Sequence, residues 1–225
     1  MCGRFAQTSS PETLITLFKL VSGAACEPRY NLAPTQPIVA LRPTPAGRIA
    51  QHMRWGLVPS WADDLSRGAK LINARSETVF DKRSFAESAR HRRCIIPADG
   101  FYEWIASKHG RLPTLFRPTQ GPIMCLAGLW STWAAEDGEV IYTATILTTA
   151  ANATLQPFHH RMPVLLTGDS VDTWLDSSVT DTNILMPLLK PAPEDAISLH
   201  PVSTRVNSVR NDDRHCWDPA TDPLN

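Results

Sequence analysis

Residues 94–105 read Cys94-Ile95-Ile96-Pro97-Ala98-Asp99-Gly100-Phe101-Tyr102-Glu103-Trp104-Ile105. Two short runs rich in β-branched and aromatic residues predict strands over Cys94–Pro97 and Phe101–Ile105. Comparable runs continue on both sides. Ile38–Leu41, Ile49–Trp55 and Leu71–Ala74 precede them; Thr114–Arg117, Ile123–Trp130, Val140–Thr148 and Val164–Thr167 follow. Helical signals are sparser. Ser9-Ser10-Pro11-Glu12 supplies an N-cap, an early proline and a capping-box glutamate ahead of Leu14, Ile15, Leu17 and Phe18. A second helix is expected over Ser76–Arg92, interrupted near Ser84, with short helices over Asp169–Leu175 and Asn183–Leu189. Strands in runs with helices interspersed irregularly predict an α+β fold on a mainly antiparallel sheet.

The 225 residues suffice for one domain with a substantial core but not for two ordinary ones. With 43% hydrophobic and 20% charged residues the chain is globular, not disordered. The 19 prolines are spread throughout, and no repeat, low-complexity tract or Gly/Ser linker divides the sequence. A domain over 1–212 is expected, followed by a polar tail over 213–225 that reads as a loose extension. No apolar run reaches the ~18 residues of a membrane span, and the start Met-Cys-Gly-Arg-Phe lacks a secretory pattern. The cysteines, Cys2, Cys26, Cys94, Cys125 and Cys216, are odd in number and scattered, which disfavours a disulfide framework or zinc cluster. A reducing compartment follows, and the lack of a basic nuclear-localisation run favours a bacterial cytoplasm. Twenty-two basic residues balance twenty-two acidic ones. A nucleic-acid partner would therefore have to be held by a local arginine patch.

Cys2 is the sharpest chemical feature. Removal of Met1 would place a free α-amine beside its thiol. Such a 1,2-aminothiol captures aldehydes, the amine forming an imine and the thiol closing a five-membered thiazolidine. The α-amine pKa, ~7.7–8.0, leaves roughly a tenth of it neutral at pH 7. Two other readings stand beside this one: a tolerated small residue, or an N-terminal nucleophile of the amidohydrolase type. On a strand Phe101, Glu103 and Ile105 share a face, so Glu103 meets apolar neighbours and becomes a usable acid/base; a surface-facing glutamate is the alternative. Phe158-His159-His160-Arg161-Met162-Pro163 joins two imidazoles to a guanidinium. Adjacent histidines on an extended segment would point to opposite faces, with no carboxylate or cysteine close in sequence, so no metal is expected. Asn73 could contact a sugar and Arg75, on the same side, a phosphate. The Arg29–Pro34 and Trp55–Trp61 stretches carry aromatics suited to stacking or wedging, although a tryptophan is more often core than platform.

Taken in order, Cys2-Gly3-Arg4-Phe5, Arg29–Pro34, Trp55-Gly56-Leu57, Ile72-Asn73-Ala74-Arg75, Asp99–Trp104, His159–Pro163 and His200-Pro201-Val202-Ser203 resemble the SRAP family. These are SOS-response-associated, peptidase-like, abasic-site-processing proteins. The resemblance spans residue 2 to about residue 212 and implies one α+β domain on a curved sheet with a groove for single-stranded DNA. It implies a thiazolidine between the mature N-terminal Cys2 and the ring-opened sugar of an abasic site. By position, Cys2 is the nucleophile, Asn73 a sugar contact, Glu103 the acid/base and His159 the group that opens the sugar. Arg4, Arg75 and Arg161 would hold phosphates, with Pro34, Trp55 and Leu57 also facing DNA. No cofactor is implied, and a monomer acting on DNA without a membrane is expected. A glutamine amidotransferase, a peptidase and a non-catalytic single-strand-binding module remain as rivals.

Overall fold

The computed structural model describes residues 2–108 and 110–220. The first seven strands are β1 (Phe5–Gln7), β2 (Leu20–Ser22), β3 (Arg29–Leu32), β4 (Pro37–Thr44), β5 (Gly47–Trp55), β6 (Asn73–Arg75) and β7 (Arg93–Ala98). The others are β8 (Gly100–Ser107), β9 (Gly110–Pro118), β10 (Met124–Ala134), β11 (Val140–Ala150), β12 (Arg161–Pro163), β13 (Leu165–Leu166) and β14 (Ile197–Pro201). Four short helices accompany them: α1 (Pro11–Phe18), α2 (Ala86–His91), α3 (Asp169–Leu175) and α4 (Thr182–Leu185).

Strands β5, β4, β7 and β10 pair antiparallel in that order and continue to β11. A parallel contact of β11 with β5, Ala144 opposite Trp55, closes the ring into a five-stranded barrel. A second sheet runs β14-β9-β8-β1-β3. Side-chain alternation divides each barrel strand between two cores. Val39, Leu41, Ile95, Leu129 and Leu147 pack under α1, α2, α3 and α4. Ile38, Ala40, Ile96, Leu126, Ala144 and Ile146 join Phe5, Phe101 and Phe116 from the second sheet. Cys2 belongs to that second core, so the second residue of the chain is enclosed between barrel and sheet.

The expected strands are all present with longer or shifted bounds. Five others, β1, β2, β3, β12 and β14, were not anticipated, because three to five residues of mixed polarity carry no readable period. Tertiary pairing creates them. The α1 cap is Ser10, whose Oγ accepts from Thr13 N–H at 3.3 Å. Ser9 instead donates its hydroxyl to Asp99 at 2.6 Å, so no capping box with Glu12 forms. The helix expected over Ser76–Arg92 with an interruption near Ser84 is shorter on both sides of that break: a 3-10 turn at Ser76–Thr78 and the six residues of α2. Burial of Val79, Phe80 and Phe85 together outweighs helix continuity across a β-branched and aromatic run. The helix expected over Asn183–Leu189 is α4 followed by a 3-10 turn at Met186–Leu188.

The tail is also different from expectation. Arg214–Trp217 forms a 3-10 turn capped by Asp213, buries Cys216 and places Trp217 Nε1–H on the Tyr102 hydroxyl at 2.8 Å. Residues 221–225 of the expected loose extension lie outside the described residues. Among the described residues no helix is long and apolar enough to cross a membrane.

Candidate active site

Strands β1 and β8 build the floor of the site. Phe5 stands opposite Phe101, and the Tyr102 amide donates to the Arg4 carbonyl at 2.9 Å. Continuing this path backwards carries Cys2 into the neighbourhood of Glu103. Cys2 is fully buried and Glu103 is 5% exposed. Burial raises the Glu103 carboxyl above the usual carboxylate range. Burial first, then the nearby Glu103 charge, pushes the Cys2 thiol up as well, so its sulfur stays protonated near neutrality.

Strand β6 supplies the roof. Buried Ala74 separates Asn73 from exposed Arg75, which places those two on one side of the strand as its period of two requires. Asn73 Nδ2 donates to the Cys2 carbonyl at 2.8 Å. Its Oδ1 is buried and has no hydrogen-bond partner among the described residues. The strand is fixed by β11, with Asn73 opposite Ile146, and the preceding Ile72 carbonyl accepts from Trp55 Nε1 at 2.9 Å.

His159 follows a turn that is anchored over the β8–β9 hairpin. Phe158 packs edge-on against Phe116 at 5.0 Å, and Phe116 stacks on Phe101 at 5.1 Å. The Arg161 amide donates to His159 Nδ1 at 2.9 Å, which leaves the proton of a neutral ring on Nε2. Burial, reinforced by the charges of His160 and Arg161, brings His159 down to about 4. The ring is therefore neutral at pH 7. Its expected separation from His160 does not occur: the segment turns instead of extending, and the rings stack at 4.3 Å with an interplanar angle of 25°.

Several expected DNA contacts are placed elsewhere. Trp55 is completely buried, edge-on to Phe5 at 4.9 Å, and Leu57 is completely buried too. Both are core residues: Trp55, at the end of β5, packs between barrel and sheet, and Leu57, just beyond it, joins the core under the helices. Arg161 is buried and bidentate to Glu77, at 2.5 and 2.8 Å, with a further bond to the Thr148 carbonyl. Its charge is already matched, so it braces the His159 turn and does not present a cation to solvent. Pro34 stays half-buried at the surface, ahead of Thr35 with its positive φ of 71°. Arg4 is half-buried and Arg75 exposed. The exposed tryptophan of the same loop is Trp61, flanked by the guanidinium groups of Arg83 and Arg67 at 4.3 and 5.6 Å from its ring. The sequence contained a signal for it: Trp55 ends an alternating strand, whereas Trp61 follows Pro59-Ser60 and precedes acidic Asp63-Asp64.

A buried cysteine at position 2, an asparagine on its carbonyl and a buried carboxyl beside it form one constellation. A family model described as SOS response associated peptidase (SRAP) matches residues 1–209. The chain belongs to the SRAP family. Among SRAP relatives, the abasic site processing protein YoqW of Bacillus subtilis is 37% identical over 94% of this chain and 96% of its own length. The abasic site processing protein HMCES of Gallus gallus is 38% identical over 76% of this chain, which spans 58% of that longer protein. A crystal structure of a Bacteroides thetaiotaomicron protein shares the fold with a TM-score of 0.87, at 23% identity over 97% of this chain and all of that one. One from Bordetella bronchiseptica matches with a TM-score of 0.78 at 26% identity, covering 90% of this chain and all of that one.

Proposed function

We propose that this SRAP protein captures abasic sites in single-stranded DNA as a thiazolidine on Cys2, once Met1 has been removed. The observation that carries this reading is the enclosure of Cys2 between Asn73 and Glu103. An aminothiol there meets a hydrogen-bonding amide on one side and a carboxyl biased towards its acid form on the other. The relatives named abasic site processing protein agree with the substrate class.

The steps balance without an added reagent. The Cys2 amine attacks C1′ of the ring-opened sugar and gives a carbinolamine. Glu103 in its acid form protonates the departing hydroxyl, water leaves and an imine remains. The thiol then adds across the imine: an S–C bond forms and the thiol proton ends on nitrogen. A neutral thiol suits this closure, since its proton is needed on the product. Neutral His159 offers Nε2–H as a hydrogen-bond donor to the sugar oxygens during opening. Asn73 Oδ1, a buried acceptor without a partner among the described residues, fits a sugar hydroxyl. Acid–base assistance of this kind is typically worth ~10²–10⁴-fold in rate.

A thiolate-dependent amidohydrolase fits less well, because burial and Glu103 both hold the Cys2 thiol protonated. The deciding experiment is a denaturing gel of protein verified to begin at Cys2, incubated with a single strand carrying one abasic site. Intact DNA and Cys2→Ala serve as controls. A heat-stable, slow-migrating band only with wild type and the abasic strand is expected. Its absence would overturn the covalent reading, and hydrolysis of free glutamine would revive the amidohydrolase.

A further inference from the structure

Asn31 is fully buried, carries no charge and lies outside the constellation around Cys2. Its two amide ends face different things. Nδ2 points at three backbone carbonyls of the C-terminal arm, those of Asn211 at 2.6 Å, Ser208 at 3.0 Å and Val206 at 3.1 Å. Oδ1 accepts from Arg4 Nη1 at 2.6 Å, and the same nitrogen donates to the Val206 carbonyl at 2.9 Å. The orientation of the amide follows from its surroundings: one end needs a donor for carbonyls and the other an acceptor for a guanidinium.

The arm is itself tied down. The Asp212 carboxylate accepts the backbone amides of Tyr30 and Asn31, at 2.6 and 2.8 Å, and pairs with Arg29. Asn207 accepts from Trp104 Nε1 at 2.7 Å, and the Arg4 guanidinium lies over the Trp104 ring at 5.6 Å. Arg4 thus has a polar anchor in Asn31, the aromatic face of Trp104 and the Val206 carbonyl, and the arm over residues 204–212 touches all three.

We infer that Asn31 is a positioning residue: it couples the C-terminal arm to Arg4 and so sets the direction in which that guanidinium meets a DNA phosphate. The inference rests on the proposed DNA reading, in which Arg4 is a phosphate contact. Without Asn31, Arg4 keeps its charge but loses its 2.6 Å acceptor and the amide that holds the Val206 carbonyl in place beside it. A flexible arginine must then be ordered anew by each incoming strand, a cost that appears in affinity.

The test is a double-mutant cycle of Asn31→Ala and Arg4→Ala, read by fluorescence anisotropy on an intact single strand and by crosslinking kinetics on an abasic one. Expected is a loss of affinity in N31A on the order of tenfold, matching R4A, with the double variant no worse than R4A. The log Kobs against log salt slope should flatten by about 0.7, one phosphate contact. The half-saturating DNA concentration should rise by more than the saturating rate falls. An equal N31A penalty in the wild-type and R4A backgrounds would reveal a general folding defect and overturn the coupling; so would unchanged affinity. Thermal melts identify misfolding, and N31S, which keeps a donor for the arm's carbonyls, repeats the cycle if N31A does not fold. Wild-type crosslinking with full N31A affinity sinks the coupling alone. A coupled cycle without any wild-type crosslink sinks the covalent reading alone.

Discussion

Glu103 shows how one side chain links stability to function. Burial puts its folded pKa above its unfolded value, so its contribution to stability is complete below the unfolded value and is lost as pH rises through the folded one. Glu103→Gln should remove that loss, giving a melting temperature that declines less from pH 4 to pH 8, while crosslinking slows ~10²-fold or more. A variant whose melting profile tracks wild type would show that Glu103 carries no such strain. His159 has the opposite sign. Its lowered pKa means that stability is present above the unfolded value and lost as pH falls towards about 4. Being neutral throughout the working range, it should not set the acid limb of the rate profile. On the proposed mechanism that limb belongs to the Cys2 amine, which must be neutral to attack. His159→Gln should lower the whole profile without moving the limb; disappearance of a limb between pH 4 and 6 would contradict this. The two tryptophans provide a contrast of burial. Trp55→Ala should cost ~3–5 kcal/mol in denaturant unfolding, as a core cavity does. Trp61→Ala should leave stability within ~0.5 kcal/mol yet weaken single-strand binding by ~1–3 kcal/mol. Reversed effects would mean that Trp61 is structural.

At the scale of elements, the site depends on how closely two loops approach. Gly56 has a φ of +122°, and a Cβ there would lie 2.4 Å from the Gly68 carbonyl oxygen. Gly68 closes the 3-10 turn Leu65–Lys70, after which Leu71 accepts from the Leu57 amide at 3.1 Å and the chain enters β6. Both backbones must touch for Asn73 to reach the Cys2 carbonyl. Gly56→Ala should therefore destabilise by at least ~2 kcal/mol and slow crosslinking even where the variant remains folded. A fully active, equally stable variant would show that the loops can separate without displacing β6. Much of this level was hidden in the sequence. Leu71–Ala74 could be read as a strand, but its parallel pairing with β11 could not. The same holds for β1 and β3: Phe5–Gln7 and Arg29–Leu32 are too short and too mixed to show a period, and become strands only because β8 and one another supply the hydrogen bonds.

At the scale of the whole molecule, electroneutrality requires that DNA attraction be local. Arg161 is matched by Glu77, which leaves Arg4 and Arg75 at the site and Arg67 and Arg83 beside Trp61. Two to four phosphate contacts predict a salt slope between about −1.4 and −2.8 on single strands. A slope steeper than about −6 in a titration of affinity against salt would reveal a much larger interface. The sequence by itself determined the fold class and the family, and marked Cys2, Asn73 and Glu103 as chemical candidates. Each of these rests on residue type, local alternation or ordered motifs, all of which survive in one dimension. Tertiary structure alone decided that Trp55 and Leu57 are core, that Arg161 is neutralised, that Arg214–Trp217 is packed and that Asn31 joins the arm to Arg4. Those facts depend on which distant segment arrives beside which side chain, since burial and pairing are properties of neighbours and not of the residue itself.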